Sequence, residues 1–254
     1  MLAVRKAIKA LLPAAAMAAA LAACSPPVPE PPENRVALGL MTSLPIFWTG
    51  GDAFKELDGA ASEPHWAKTR LEFGYRLEPL DVLLPDRLSK LDVLVLGQPR
   101  ALSPEENVAL DDWVRAGGRV LVFADPQLVG EYPYSFGDPR RPIDSILLSP
   151  ILTRWGLELT QAEPDVRTLP LGDAKMAVAA AGAWRLLPSE DAPCKLSLEQ
   201  VLATCTIGAG RVGLLADATL LEDPVGGEGS PEALDTLLGM VRDGIGENAG
   251  EAPK

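Results

Sequence analysis

The chain has a single histidine, His65, among 254 residues. That scarcity excludes zinc sites built on paired histidines and leaves a Ser-His-Asp or Cys-His apparatus dependent on one side chain. His65 sits beside a tryptophan in "SEPHWAK", where it reads as a surface or cap residue at a helix start. No G-x-S-x-G or G-x-C-x-G elbow occurs, so a nucleophile on a tight strand-to-helix turn is not signalled. Asp-x-Asp spacing is also missing. Asp111-Asp112 would offer at most weak surface calcium binding. "TSLPIFWTGGD" holds Gly50-Gly51 but neither the lysine of a phosphate loop nor the spacing of a dinucleotide fingerprint. Positive charge is in deficit, with 23 Lys and Arg against 35 Asp and Glu and a net charge of −12. A body this acidic lacks the basic stripe that displaces counterions from nucleic acid, and it would not lie flat on anionic lipid. No metal and no cofactor is expected.

What is present begins at the N-terminus. Arg5, Lys6 and Lys9 precede an apolar, alanine-rich stretch too short for a bilayer span, which reads as a secretion signal. It ends in "LAAC", Leu21 to Cys24, which matches the bacterial lipobox and makes Cys24 the expected lipidation site. Five prolines then fall within residues 25–34. An extended polyproline run rises about 3.1 Å per residue and would hold the globular part roughly 30 Å off the membrane. Ser25, next to the cysteine, resembles outer-membrane sorting. The expected location is therefore a bacterial membrane, the outer one favoured, with the protein facing the periplasm. In that oxidising space Cys194 and Cys205 are expected to form a disulfide across "CKLSLEQVLATC", a hairpin or an extended segment around one helical turn.

The organisation that follows is a signal peptide over 1–23, a lipid-anchored Pro-rich linker over 24–35, one α/β domain over 36–246 and a tail over 247–254. Strand-like runs alternate with amphipathic ones, which predicts a mainly parallel, Rossmann-like sheet flanked by helices. Strands are expected in "RVALGLMTS", "YRLEPLDVL", "KLDVLVLGQP", "RVLVFADP", "AKMAVAAAGAWRLL" and "ATCTI". Helices are expected in "EPHWAKTRLEFG", after the Ser103-Pro104-Glu106 capping signal, in "ILLSPILTRWG", and after Ser230-Pro231, with Gly244 past the last one's end. Residues 127–145 form a long irregular stretch of the kind that tends to carry function.

Two stretches echo each other: "GGRVLVFADPQL" and "AGRVGLLADATL", with Asp125 and Asp217 at matching places. If their strands are neighbours, the two aspartates share the edge where open α/β sheets bind ligands. Arg140 and Arg141 of "GDPRRP" could be brought over that edge, so these four residues are the candidate ligand site or loop clamp. The clamp is the simpler reading, with each aspartate also ending its strand.

"LSKLDVLVLGQPRALSPEENVALDDWVRAGGRVLVFADP" and "GAGRVGLLADATLLED" resemble the extracytoplasmic auxiliary domain of uncharacterised ABC-type transport systems and gliding-motility transporters. "MTSLPIFW" and "GDPRRP" look like features of a proteobacterial branch. The resemblance implies a class I glutamine-amidotransferase-like fold without the amidotransferase cysteine; the chain departs from the family pattern in its expected lipid anchor, which stands in place of a transmembrane helix. Together with the lipobox and the missing nucleophile, the resemblance leads to the expectation of a non-catalytic envelope lipoprotein that binds a ligand or partner, such as an ABC-transporter membrane subunit. Two other readings remain open: a carboxylate-dependent hydrolase near Asp125 and Asp217, and a purely structural envelope lipoprotein.

Overall fold

The computed structural model describes residues 35–47, 64–161, 165–189, 193–223 and 226–243. These residues lie in one compact unit that starts at Arg35. The signal peptide, Cys24, the Pro-rich linker, Gly50-Gly51, Gly244 and the C-terminal tail lie outside the described residues.

Four parallel strands come from the first half of the chain: β1 (Ala37–Thr42), β2 (Arg76–Pro79), β3 (Val93–Gly97) and β4 (Arg119–Phe123). Every residue of β3 is buried, as a central strand covered on both faces requires. Between these strands run α1 (Trp66–Gly74), the short α2 (Pro85–Leu88) and α3 (Pro104–Arg115). In α3 the Ser103 hydroxyl accepts from Glu106 N at 3.2 Å, and the Glu106 carboxylate accepts from Ser103 N at 2.8 Å. That reciprocal pair satisfies two otherwise orphaned amides. Leu110 and Val114 bury the inner stripe of the helix. Gly117, at φ +117°, turns the chain into β4, a conformation that side chains resist.

The second half adds α4 (Ser149–Arg154), β5 (Leu157–Thr160), β6 (Val166–Leu171), β7 (Ala174–Ala179), β8 (Ala183–Leu186), β9 (Cys194–Ser197), β10 (Leu202–Ile207), β11 (Gly210–Leu215), α5 (Thr219–Glu222) and α6 (Ser230–Asp243). The main sheet runs β2-β1-β3-β4-β11-β10-β9. Its first five strands pair in parallel and its last two pairings are antiparallel, so β10 alone runs against the others. The sheet is therefore mainly parallel and flanked by helices. On α6, Leu234, Leu237, Leu238 and Val241 form the buried face.

Three features differ from the sequence reading. "AKMAVAAAGAWRLL" is two strands, because Ala180 takes φ +53° and breaks the extended run. Gly182 follows, where a side chain would sit 2.8 Å from Thr160 O and from Pro126 Cγ. β7 then pairs with the unforeseen β6, and β8 with β5, each as a two-stranded antiparallel unit. "ATCTI" is a strand, but an antiparallel one between β9 and β11.

Cys194 lies directly opposite Cys205 in the β9–β10 hairpin and is joined to it by a disulfide. Thr206 N donates to Pro193 O, which makes the adjacent cysteine pair a non-hydrogen-bonded one, where opposite side chains lie closest. The Cα atoms are 4.1 Å apart.

Candidate functional site

The carboxyl ends of the parallel strands bring Ser43, Gln98, Asp125 and Asp217 to one edge of the sheet. β4 and β11 are neighbours, with Phe123 opposite Leu215, so Asp125 and Asp217 do share that edge. Both are completely buried.

Each aspartate accepts on both oxygens. Asp125 Oδ1 accepts from Gln127 N at 2.8 Å, and Oδ2 from Ala218 N at 3.1 Å. Asp217 Oδ1 accepts from Thr219 N at 2.8 Å, and Oδ2 from Ala179 N at 2.9 Å and the Thr219 hydroxyl at 3.2 Å. Each carboxylate thus closes its own Asx turn and ties down a second strand end. Burial pushes Asp125 up to about 6, opposed by its two amide donors. Burial and then the charge of Asp125 push Asp217 up to about 7, opposed by its own three donors.

Gln98, which the sequence reading passed over, connects this edge to the loop of residues 127–145. It is fully buried and holds φ +46°, a conformation that is strained for a side chain of its size. Its Oε1 accepts from Asp125 N at 2.8 Å, and its Nε2 donates to Asp125 O at 3.1 Å and Ile143 O at 2.9 Å. One amide therefore grips both ends of the loop. Ile143 N donates to the Ser43 hydroxyl at 3.1 Å, and that hydroxyl donates to Gln98 O. Glu222 of α5 holds the middle, accepting from Gly130 N at 2.8 Å and the Tyr132 hydroxyl at 2.9 Å. Burial raises the Glu222 carboxyl above its ordinary range. Gln98 carried a usable signal, being a polar residue one step past an all-apolar strand. Glu222 carried none.

The expected clamp between the aspartates and the arginines is not what forms. Arg140 pairs with Asp138, with Nη2 2.8 Å from Oδ2, and stacks 4.3 Å over the Tyr134 ring. Arg141 pairs with Asp144 at 2.6 Å, stacks 4.6 Å over Phe136 and donates to Tyr134 O. Carboxylates two and three residues away capture the guanidiniums inside the loop, while main-chain amides occupy Asp125 and Asp217. His65 is the N-cap of α1, as one of its two readings had it, but it is buried rather than on the surface. Its Nδ1 accepts from Ala67 N at 3.2 Å. Burial lowers its pKa, and the charge of Asp223 works against that shift. Among the described residues no helix is long and apolar enough to cross a membrane.

No curated protein matches the chain. Among solved structures it is similar to an exo-β-1,4-mannosidase from an Opitutaceae bacterium, at 10% identity and TM-score 0.41 over 72% of this chain and 31% of that one. The chain thus spans under a third of the mannosidase's length. It is also similar to a protein described as ThuA-like from Bacteroides uniformis, at 11% identity and TM-score 0.47 over 85% of this chain and 95% of that one. A second ThuA-like protein, from Parabacteroides merdae, is 13% identical with TM-score 0.39 over 87% of this chain and 94% of that one. The sequence pattern of a family described as "ABC-type uncharacterized transport system" matches residues 38–180. That span takes in Ser43, Gln98, Asp125 and the whole gripped loop, and it covers more than half of the 254 residues. The chain belongs to this family of auxiliary components of ABC-type transport systems.

Proposed function

We propose that the protein is a non-catalytic, lipid-anchored auxiliary component of an ABC-type transport system, which binds a partner in the bacterial envelope. Cys24 carries the anchor and the α/β domain faces the periplasm. Hydrogen bonding at the sheet edge carries the non-catalytic part. A general acid or nucleophile needs an oxygen that substrate can reach, whereas each oxygen of Asp125 and Asp217 already accepts from the chain itself. The Cys194–Cys205 disulfide supports an oxidising compartment. The gripped loop, with Phe136 83% exposed at its surface, supports a presenting rather than a reacting role.

The test is in two parts. Purified protein should not turn over ester, amide or glycoside substrates; turnover that disappears in Asp125→Asn would overturn the reading. In native membranes, a photo-crosslinking residue at Phe136 should capture a transporter membrane subunit. The hydrolase reading draws on one observation, two adjacent carboxyls raised toward neutrality. The same turnover assay decides it.

A further inference from the structure

Among the described residues, the β5–β8 unit has one edge that is sewn down and one that is not. In an antiparallel pair, opposite residues alternate between those that exchange main-chain bonds and those whose N–H and C=O point away. Leu187 N donates to Gly156 O at 2.8 Å. In the register that sets Leu157 opposite Leu186, that bond makes Glu158–Arg185 and Thr160–Ala183 bonded pairs too. Leu159 and Gln161 therefore turn their main-chain groups away from β8. The far side of β8 is occupied: Gly182 N donates to Ala216 O and Trp184 N to Gln200 O. Among the described residues, no hydrogen bond reaches the N–H of Leu159 or Gln161.

This open edge borders a cavity of about 300 Å³, at the small end for sites that hold ligands. Its lining joins Leu159 and Gln161 to the hydroxyls of Ser149 and Thr153 on α4 and to Pro126, the residue after Asp125. Proteins commonly blunt edge strands with lysine, arginine or proline. Here β2 carries Arg76 and Pro79, β9 carries Lys195, β6 carries Arg167 and Pro170, and β7 carries Lys175. The stretch Leu157–Gln161, "LELTQ", has no lysine, arginine or proline, and its one charge, Glu158, is drawn into the ion pair with Arg185 on β8.

We propose that the β5 edge and its cavity are a docking groove for an extended peptide of a protein partner, added to β5 as a further strand. The occupant follows from the chemistry of the edge. Outward N–H and C=O groups recurring at every second residue are matched by another extended main chain, and adjoining pockets then select side chains. Ser149 and Thr153 can hydrogen-bond a polar side chain. Glu158, the one charged residue of the lining, is paired with Arg185 opposite it on β8, so the groove itself is close to neutral, while the chain as a whole carries −12; the peptide is therefore neutral or basic. The proposal rests on the partner-binding reading above and gives it a site.

The probe is a displayed library of random linear peptides, panned against the purified full-length protein. Selected peptides should be neutral or basic and should slow amide exchange at Leu159 and Gln161. They should also lose binding when alternate residues are N-methylated. Gln161→Pro removes an outward N–H from an exposed position, and Thr153→Arg fills the cavity from an exposed helix position. Each should weaken binding at least about tenfold with the melting temperature unchanged, and either variant serves if the other does not fold. The proposal fails if no peptide is selected, if peptides protect other strands, or if they tolerate N-methylation. A crosslinker at Gln161 in native membranes separates the two levels. Silence there, with capture of a transporter subunit from Phe136, overturns the groove and leaves the auxiliary reading standing. Silence at both positions counts against the auxiliary reading itself.

Discussion

The ends of β4 and β11 repeat one another in sequence and part company in space. In both, Oδ1 of the aspartate takes the amide two residues on, Gln127 N in one case and Thr219 N in the other, each at 2.8 Å. The second oxygen separates them. Asp125 reaches to Ala218 N, beyond the neighbouring strand β11, whereas Asp217 reaches to Ala179 N at the end of β7. The local turn is encoded by the aspartate itself, but the distant partner is set by what the fold delivers beside it. Asp217 has a third donor in the Thr219 hydroxyl. Asp125 has Gln98 braced against its main chain instead.

The largest effect should come from removing one aspartate at a time. Asp217→Ala strands three donors, the Ala179 amide buried and the Thr219 amide and hydroxyl half-buried, and should cost about 3 kcal/mol in urea unfolding. Asp125→Ala strands two and should cost about 2 kcal/mol. A larger loss for Asp125 would break the comparison, because it would place the greater structural demand at the less densely bonded end.

Gln98→Ala sharpens the contrast next, at a cost of about 2 kcal/mol for three lost buried hydrogen bonds. The left-handed backbone is no easier for alanine, so strain relief does not offset the loss. Hydrogen exchange should accelerate at Leu128 and Ile146, which close the loop, and stay unchanged at Ala179, which Asp217 holds. Faster exchange at both places would mean that the two ends act as one unit.

Titration offers the third contrast. Both carboxyls are raised in the folded state, Asp217 above Asp125. The folded protein therefore holds protons that the unfolded chain has released between about pH 4 and pH 7. The contribution of the two carboxyls is full below that window and falls as pH rises through it, at roughly 2.5 kcal/mol per pH unit where steepest, because both protons are then at stake together. Melting temperatures recorded from pH 5 to pH 8 should decline, and Asp217→Asn should flatten the decline more than Asp125→Asn does. The readout is the slope, since asparagine also disturbs the hydrogen bonds. A stability that rises with pH over this range would reverse the sign and refute the burial argument.

Much of this was legible in the sequence where the signal is local. The capping box at Ser103, the all-apolar run of β3 and the buried face of α6 each lie within a few residues, and all three form as read. The adjacency of β4 and β11 was readable only as a condition, because some ninety residues separate them. The second half was less legible because its units pair at long range. β5 finds β8 across the whole β6–β7 hairpin, and the break at Ala180 hides inside a run of alanines that favours no turn. Gln98 was legible in principle, since a glutamine ending a buried strand must find buried partners. Glu222 was not, because its partners Gly130 and Tyr132 lie ninety-odd residues upstream.

The smallest expected effect bears on the arginines, and it decides whether the loop is held from inside or from the sheet edge. Arg140 is 67% exposed and its partner Asp138 is two residues away. Such a pair is screened by water and contributes little. Arg140→Ala should leave the melting temperature within about 1 °C of the parent, as surface substitutions usually do. It should also leave the pH slope intact, because among the described residues no guanidinium touches either strand-end aspartate. Were Arg140 a clamp on Asp125 or Asp217, its removal would free a buried carboxylate of its counter-charge, raise that carboxyl further and steepen the slope. An unchanged slope in Arg140→Ala beside a flattened one in Asp217→Asn therefore assigns the hold on the sheet edge to main-chain amides and the Thr219 hydroxyl, not to the arginines.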